Sequence, residues 1–242
     1  MKMKFEFYRI LAAVLLLSAG GAFAQAGNQQ TYKFKFRLIS WDSVISDLGF
    51  LSGGEKPTAV NILPNSRSSF YEYEGPGPVV FGRTVTGPDG KPVFEVAATV
   101  PVKEFGERTL LMFFNKPGAP GQYNVTGFDD SDSAIPAGGY RFLNFTPNTL
   151  AVKCGDASGT MPPRGSLLLR SKTTDSPEIM PVEVVAKTDG GYQRAFASRW
   201  PYGATTRTLV FVYFVPETKS FALKKILEDV AAIPKPTPPP AP

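Results

Sequence analysis

Tyr32, Phe34, Phe36 and Leu38 alternate with Lys33, Lys35 and Arg37 near the start of the chain. A period of two puts the apolar residues on one face of an extended segment and the basic ones on the other, the signature of a half-buried strand. Short segments of this kind recur along the chain, and this constrains the fold more than any other feature. Between them stand Gly and Pro clusters; 23 Gly and 23 Pro interrupt helices too often for a helical protein. Strands are expected at 70–74, 79–85, 93–102, 140–145, 150–153 and 166–170. Residues 48–51 and 58–63 flank Ser52-Gly53-Gly54-Glu55 and read as a hairpin. Residues 182–188 and 192–200 around Asp189-Gly190-Gly191 form the clearest hairpin. Gly87-Pro88-Asp89-Gly90-Lys91 is a turn, since Pro88 presets its φ and Gly90 tolerates a positive one.

Residues 110–114 and 208–215 are apolar on both faces, which predicts central strands. The stretch 115–139 reads as a loop. Residues 41–48 fit a strand or a helix. Leu223, Ile226, Leu227 and Val230 follow helical spacing, with a closing strand over 219–226 as the competing reading. Together these predict an all-β fold, a sandwich of short antiparallel strands of immunoglobulin-like or jelly-roll type, with a short C-terminal helix as an option. The sandwich domain covers 25–232. One sandwich with long loops is the first expectation, and two packed β subdomains divided near 115–138 the second. The halves show no repeat of fixed period and no alignable motif.

The first 24 residues carry Lys2, Lys4 and Arg9, then an apolar run over 10–17, then Ala22-Phe23-Ala24. That order is a secretory signal peptide, and the run is shorter than the roughly 20 residues a membrane anchor needs. Export, cleavage after Ala24 and no transmembrane anchor afterwards are therefore expected. Residues 233–242 form a Pro-rich tail that favours extended conformations and packs no core, with a spacer or docking role as an option.

Several chemistries drop out. The chain has no His, which removes Ser-His-Asp and Cys-His catalysis and His-ligated zinc. Its one cysteine, Cys154, cannot form an internal disulfide and reads as a small buried hydrophobe beside Gly155-Asp156. No cysteine stands near the leader exit for a lipid anchor. Removing the leader lowers the net charge from +5 to +3, too little to argue for nucleic acid. Phosphate-loop, dinucleotide and nucleophile-elbow motifs are absent, and no cofactor or catalytic residue is expected.

The remaining candidates are few. Asp129, Asp130 and Asp132, with Ser131 and Ser133, offer oxygen ligands that suit calcium, without the spacing of an EF-hand loop. Glu72 and Glu74 share a strand side at a spacing that a glycoside hydrolase could use. Tyr71 and Tyr73 share the opposite side, while Trp200 and Tyr202 flank Pro201 beside Arg199. Exposed rings next to polar groups can stack on sugars or grip a peptide, so these five residues are the candidate ligand site. Asn124-Val125-Thr126 and Asn144-Phe145-Thr146 are glycosylation sequons, meaningful only in a eukaryotic host.

The segments Ile39-Ser40-Trp41-Asp42, Leu63-Pro64-Asn65-Ser66, Tyr73-Glu74-Gly75-Pro76, 135–144 and Arg199-Trp200-Pro201-Tyr202 resemble a loose group of uncharacterised exported β-rich proteins of Gram-negative bacteria. The resemblance implies a bacterial envelope setting and transfers no activity. The expectation is an exported, non-enzymatic binding or structural module of the periplasm or cell surface, whose partner is an envelope protein or a glycan. A carboxylate-based polysaccharide hydrolase is the alternative.

Overall fold

The computed structural model describes residues 30–54, 56–102, 105–106, 108–171 and 179–233. The leader at 1–24 and the tail at 234–242 lie outside the described residues. In chain order the first half contains β1 (Thr31–Ser40), β2 (Gly49–Leu51), β3 (Thr58–Ala59), β4 (Tyr71–Pro76), β5 (Val79–Thr86), β6 (Pro92–Val100), β7 (Arg108–Asn115) and β8 (Tyr123–Asp129). The second half contains β9 (Gly139–Asn144), β10 (Thr149–Cys154), β11 (Ala157–Met161), β12 (Ser166–Arg170), β13 (Ile179–Thr188), β14 (Gly191–Pro201), β15 (Thr206–Val215) and β16 (Ser220–Asp229). A 3-10 turn, Val230–Ala232, follows β16.

The protein is all-β, as expected. The strands form four sheets, ordered β4-β1-β7-β8, β3-β2-β5-β6, β12-β9-β15-β16 and β11-β10-β13-β14. Adding eight to each strand number of the first pair of sheets reproduces the second pair. The chain is therefore two copies of one eight-stranded topology, divided at residues 130–138. This favours two packed subdomains over one sandwich with long loops. Neighbouring strands are antiparallel except at β1–β7 and β9–β15, which are parallel and occupy the same place in each copy.

The sheets stack four deep around three apolar layers. In the first half Phe36, Phe50, Phe81, Leu111 and Phe113 fill the space between its two sheets. In the second half Phe142, Val152, Val184, Val210 and Trp200 do the same. A third layer joins the halves, with Ile39, Leu110 and Met112 facing Leu143, Leu209, Phe211 and Ile226. This layer explains the two runs that are apolar on both faces. In β7, Leu111 and Phe113 point into the first core while Leu110 and Met112 point into the joint. In β15, Val210 and Val212 serve the second core while Leu209 and Phe211 serve the joint. A strand interior to a sheet stack has no water-facing side.

The same geometry corrects the reading of β1. Lys33 and Lys35 face solvent as expected, but Arg37 is only 7% exposed. The sheet face it shares with Ile39 is covered by the second half. The helical option at 223–230 also fails. Residues 223–229 belong to β16, which pairs along the whole of β15 and satisfies the backbone N–H and C=O groups on that edge, while Val230 opens the 3-10 turn. Residues 41–48 contain no helix, and Ile45 bridges Ile62. Within the expected loop at 115–139 lies β8, an edge strand whose polar residues masked its alternation. Asn144, in the second sequon, is buried with its amide bonded to the carbonyls of Asn148 and Pro162.

The hairpin at 182–200 forms as expected, with Thr188 opposite Gly191. Gly90 takes φ +77° in its turn, the left-handed region that a side chain resists. Cys154 is fully buried against Met180, and burial pushes its thiol up to about 12. A thiol so buried has almost no thiolate at neutral pH. Native protein is therefore expected to give under a tenth of the Ellman colour that it gives in denaturant, measured at pH 8; rapid stoichiometric reaction of the folded protein would contradict this.

Candidate functional site: a buried arginine cluster at the joint

The equivalence of the two halves extends to side chains. Arg37 pairs in register with Leu110, and Arg141 with Leu209. Each leucine closes the same tripeptide, Arg108-Thr109-Leu110 in β7 and Arg207-Thr208-Leu209 in β15. On the other side Thr109 lies opposite Asp129, so Asp130 follows on at Arg108, and Arg207 lies opposite Glu228. Arg108 thus corresponds to Arg207, and Asp130 to Glu228. The motif is alignable once register is known, a correction to the sequence reading.

These residues meet at one end of the joint. Arg207, from the second half, donates from Nη2 to Asp130 Oδ2 at 3.3 Å and from Nη1 to the Asp130 carbonyl at 3.0 Å. Arg37, from the first half, reciprocates by pairing through Nη2 with Glu228 Oε1. Arg207 Nε also donates to Glu228 Oε2 at 2.7 Å. Arg67, in the β3–β4 connection, donates from Nε to Asp130 Oδ1 at 3.1 Å and lies 3.7 Å from Glu228 Oε2. Arg207 and Asp130 are 0% and 1% exposed. Three guanidinium groups thus share two buried carboxylates. Charges this deep are tolerable only when paired and hydrogen-bonded.

Burial lowers the Arg67 guanidinium below its ordinary value, opposed by the charges of Asp130 and Glu228. For Glu228 burial pushes the carboxyl up, but the Arg37 hydrogen bond and the charges of Arg67, Arg37 and Arg207 outweigh it, and the group sits below the usual range. A carboxylate depressed by folding adds stability above its unfolded pKa, and that stability is lost as pH falls through the folded value. Stability should therefore hold near neutrality and decline from about pH 5 downwards, with part of the slope carried by Glu228. Urea titrations of wild type and Glu228→Gln between pH 3 and 7 check this; parallel curves would refute the assignment.

Beside the cluster lies a cavity of about 490 Å³, bordered by Arg37, Arg67, Ser69, Phe70, Glu228 and Asp229. The guanidinium carbons of Arg37 and Arg108 stand 4.9 and 5.1 Å from the Phe70 ring centre, close enough for cation–π attraction. A second cavity, of about 660 Å³, is a trough on the sheet β3-β2-β5-β6. Gly49 and Gly82 lie opposite each other in register there and contribute no side chains, while Pro57, Val93 and Phe94 line it alongside Asp47 and Lys56.

The residues singled out from sequence are placed differently. Tyr71 and Tyr73 do share a face opposite Glu72 and Glu74, but that face is the core. Tyr73 is buried, and Tyr71 packs on Phe36 and Phe50. Trp200 is 3% exposed, packed on Phe142, Tyr140 and Phe196 with Lys225 over its ring. Tyr202 is half-buried against the same core, and only Arg199 is exposed. Tyr73 and Trp200 are thus committed to core packing, Tyr71 and Tyr202 are half-buried, and the two groups belong to different halves of the fold. Glu72 and Glu74 are exposed and paired with Lys35 and Lys33 at 3.0 and 2.8 Å. Of the calcium candidates, Asp130 is committed to arginines and Asp132 contacts Arg108 at 2.8 Å. Asp129 accepts from the Ser131 backbone. Their oxygens serve cationic and backbone donors instead of converging, and among the described residues no group of three potential metal-binding side chains converges.

Sequence reasoning missed Arg37, Arg67, Arg207 and Glu228. The doubled Arg-Thr-Leu before an apolar run was a usable signal for Arg207; nothing local marked Arg67. No protein-family model matches the chain, and no curated protein matches its sequence.

Proposed function

We propose that the protein is an exported, non-enzymatic binding or structural module of the bacterial periplasm or cell surface, with an envelope protein or a glycan as partner. The leader-like first 24 residues and the resemblance to exported envelope proteins support the setting. The observation that carries the binding reading is the open trough lined by Pro57, Val93 and Phe94, with Pro57 and Phe94 lying over the buried Gly49 and Gly82. Its apolar walls with a few polar groups at the edge suit recognition of an extended ligand. The joint supports the structural side: an apolar layer and an ion-pair network tie the two halves together.

In-cell crosslinking with mass spectrometry identifies the partner, and thermal-shift screening against polysaccharides and peptidoglycan fragments tests the glycan version. Phe94→Ala and Lys56→Ala in the trough should weaken a true ligand at least tenfold while leaving the melting temperature near wild type. No crosslinked partner, no stabilising glycan and hydrolytic turnover of any of them would defeat the reading. The paired states of Glu72 and Glu74 give the hydrolase alternative no specific support.

A further inference from the structure

The charge count at the joint is uneven. Arg37, Arg67 and Arg207 are buried with two carboxylates, Asp130 and Glu228, leaving one positive charge in excess among the buried groups of the cluster. Asp132, at the surface side, pairs with Arg108 at 2.8 Å and lies 3.5 Å from Arg207 Nη1; counting Arg108 and Asp132 together leaves the excess unchanged. Asp229 on the cavity rim is exposed and committed to the Ala231 backbone. The excess falls at Arg67, whose side chain is 1% exposed. Its Nε is used by Asp130, but Nη1 and Nη2 have no hydrogen-bond acceptor, although Nη2 lies 3.1 Å from Asp130 Oδ1. Arg37 Nη1 also lacks one, at 3.7 Å from Asp130 Oδ2. Both arginines border the same 490 Å³ cavity. A buried guanidinium with unused donors is unfavourable unless something supplies acceptors and negative charge.

We infer that this cavity is a binding site for a small oxyanion of carboxylate or phosphate type, received by Arg67 and Arg37 with Ser69 at its edge. Guanidinium groups match such anions in geometry as well as charge, because paired N–H donors meet paired oxygens. The cavity exceeds the volume of one phosphate ion, so a phosphorylated or carboxylated fragment of a larger molecule also fits. The inference does not depend on the partner proposed above, since the trough lies on the sheet β3-β2-β5-β6 and shares no bordering residue with this cavity.

The test is titration of the full mature protein with inorganic phosphate and, separately, with succinate, each against sodium chloride at equal ionic strength and at millimolar concentration. Low concentration keeps general salting effects small. At a hundredfold excess over Kd the melting temperature should rise by about 5 to 10 °C. The phosphate and succinate arms separate the two anion classes. Ser69→Asp places a carboxylate at the cavity edge, so it should raise the melting temperature without added anion and remove the response. In the unaltered protein the side-chain Nε–H resonances of Arg67 and Arg37 should shift on titration. No anion-specific rise in wild type, an equal rise in Ser69→Asp, or unmoved Arg67 and Arg37 resonances would each overturn the site.

Discussion

Asp130→Ala is expected to destabilise the protein by about 3 to 5 kcal/mol, the cost of stranding buried cations without their partner. Asp130 meets Arg67, Arg207 and Arg37 within 3.1 to 3.7 Å, and none of these side chains is more than 9% exposed. Its loss leaves Glu228 as the one largely buried carboxylate facing the three guanidinium groups, with the exposed Asp132 reaching only Arg207. In a chain of this size the melting temperature should fall by about 10 °C or more. Asp132, two residues on, is the internal control. Its side chain is 75% exposed, so its contacts with Arg108 and, at 3.5 Å, with Arg207 are screened by water, and Asp132→Ala should change stability by about 1 kcal/mol or less. Two aspartates in one turn are thus expected to differ several-fold, measured by urea unfolding at pH 7. Equal effects would mean that the buried network carries no net weight. Asp130→Asn separates charge from shape: it should recover packing but little of the loss.

Phe211→Ala is the second large effect, at about 3 to 5 kcal/mol, from lost apolar transfer and the cavity left behind. Phe211 is fully buried in the joint, with ring centres of Trp41, Phe145 and Phe128 at 5.6, 5.4 and 5.9 Å. The two tryptophans make the consequence readable. Trp41 sits at the joint and Trp200 in the second core. In wild type, single-tryptophan variants should report one coincident transition. With Phe211→Ala the Trp41 signal should move to lower denaturant than the Trp200 signal, because the deletion loosens the joint before either sandwich. Transitions that remain coincident would show that the halves have no separate stability.

Several strands were legible from the alternation between a core face and a water face, though β8 was not. The alternation of Phe34 and Phe36 with Lys33 and Lys35 was enough for β1, and Asp189-Gly190 for the β13–β14 hairpin. The doubly apolar runs in β7 and β15 correctly announced central strands, but not what covered their second faces. That cover comes from the other half of the chain, so the same blind spot hid the burial of Arg37. The duplicated topology was invisible for a related reason: it resides in pairing order and register, which few shared residues mark. The burial of Trp200 and Tyr73 was hidden because such rings suit a core as well as a ligand surface, and sequence spacing does not distinguish the two. The arginine cluster draws on β1, the β3–β4 connection, β8, β15 and β16, and no local pattern links segments so far apart.

Contacts cross the joint in both directions, Arg207 to Asp130 and Arg37 to Glu228, but they are not copies of each other, since Arg207 corresponds to Arg108 and Arg37 to Arg141. Two separate chains meeting this way would need to reach their own dissociation constant. Joined by residues 130–138, the halves see each other at an effective concentration of roughly millimolar order. Contacts too weak to hold two independent chains at cellular levels then suffice to keep the joint closed. Because tethering supplies this closure, one side of the joint is free to depart from symmetry, and Arg67 stands on that side.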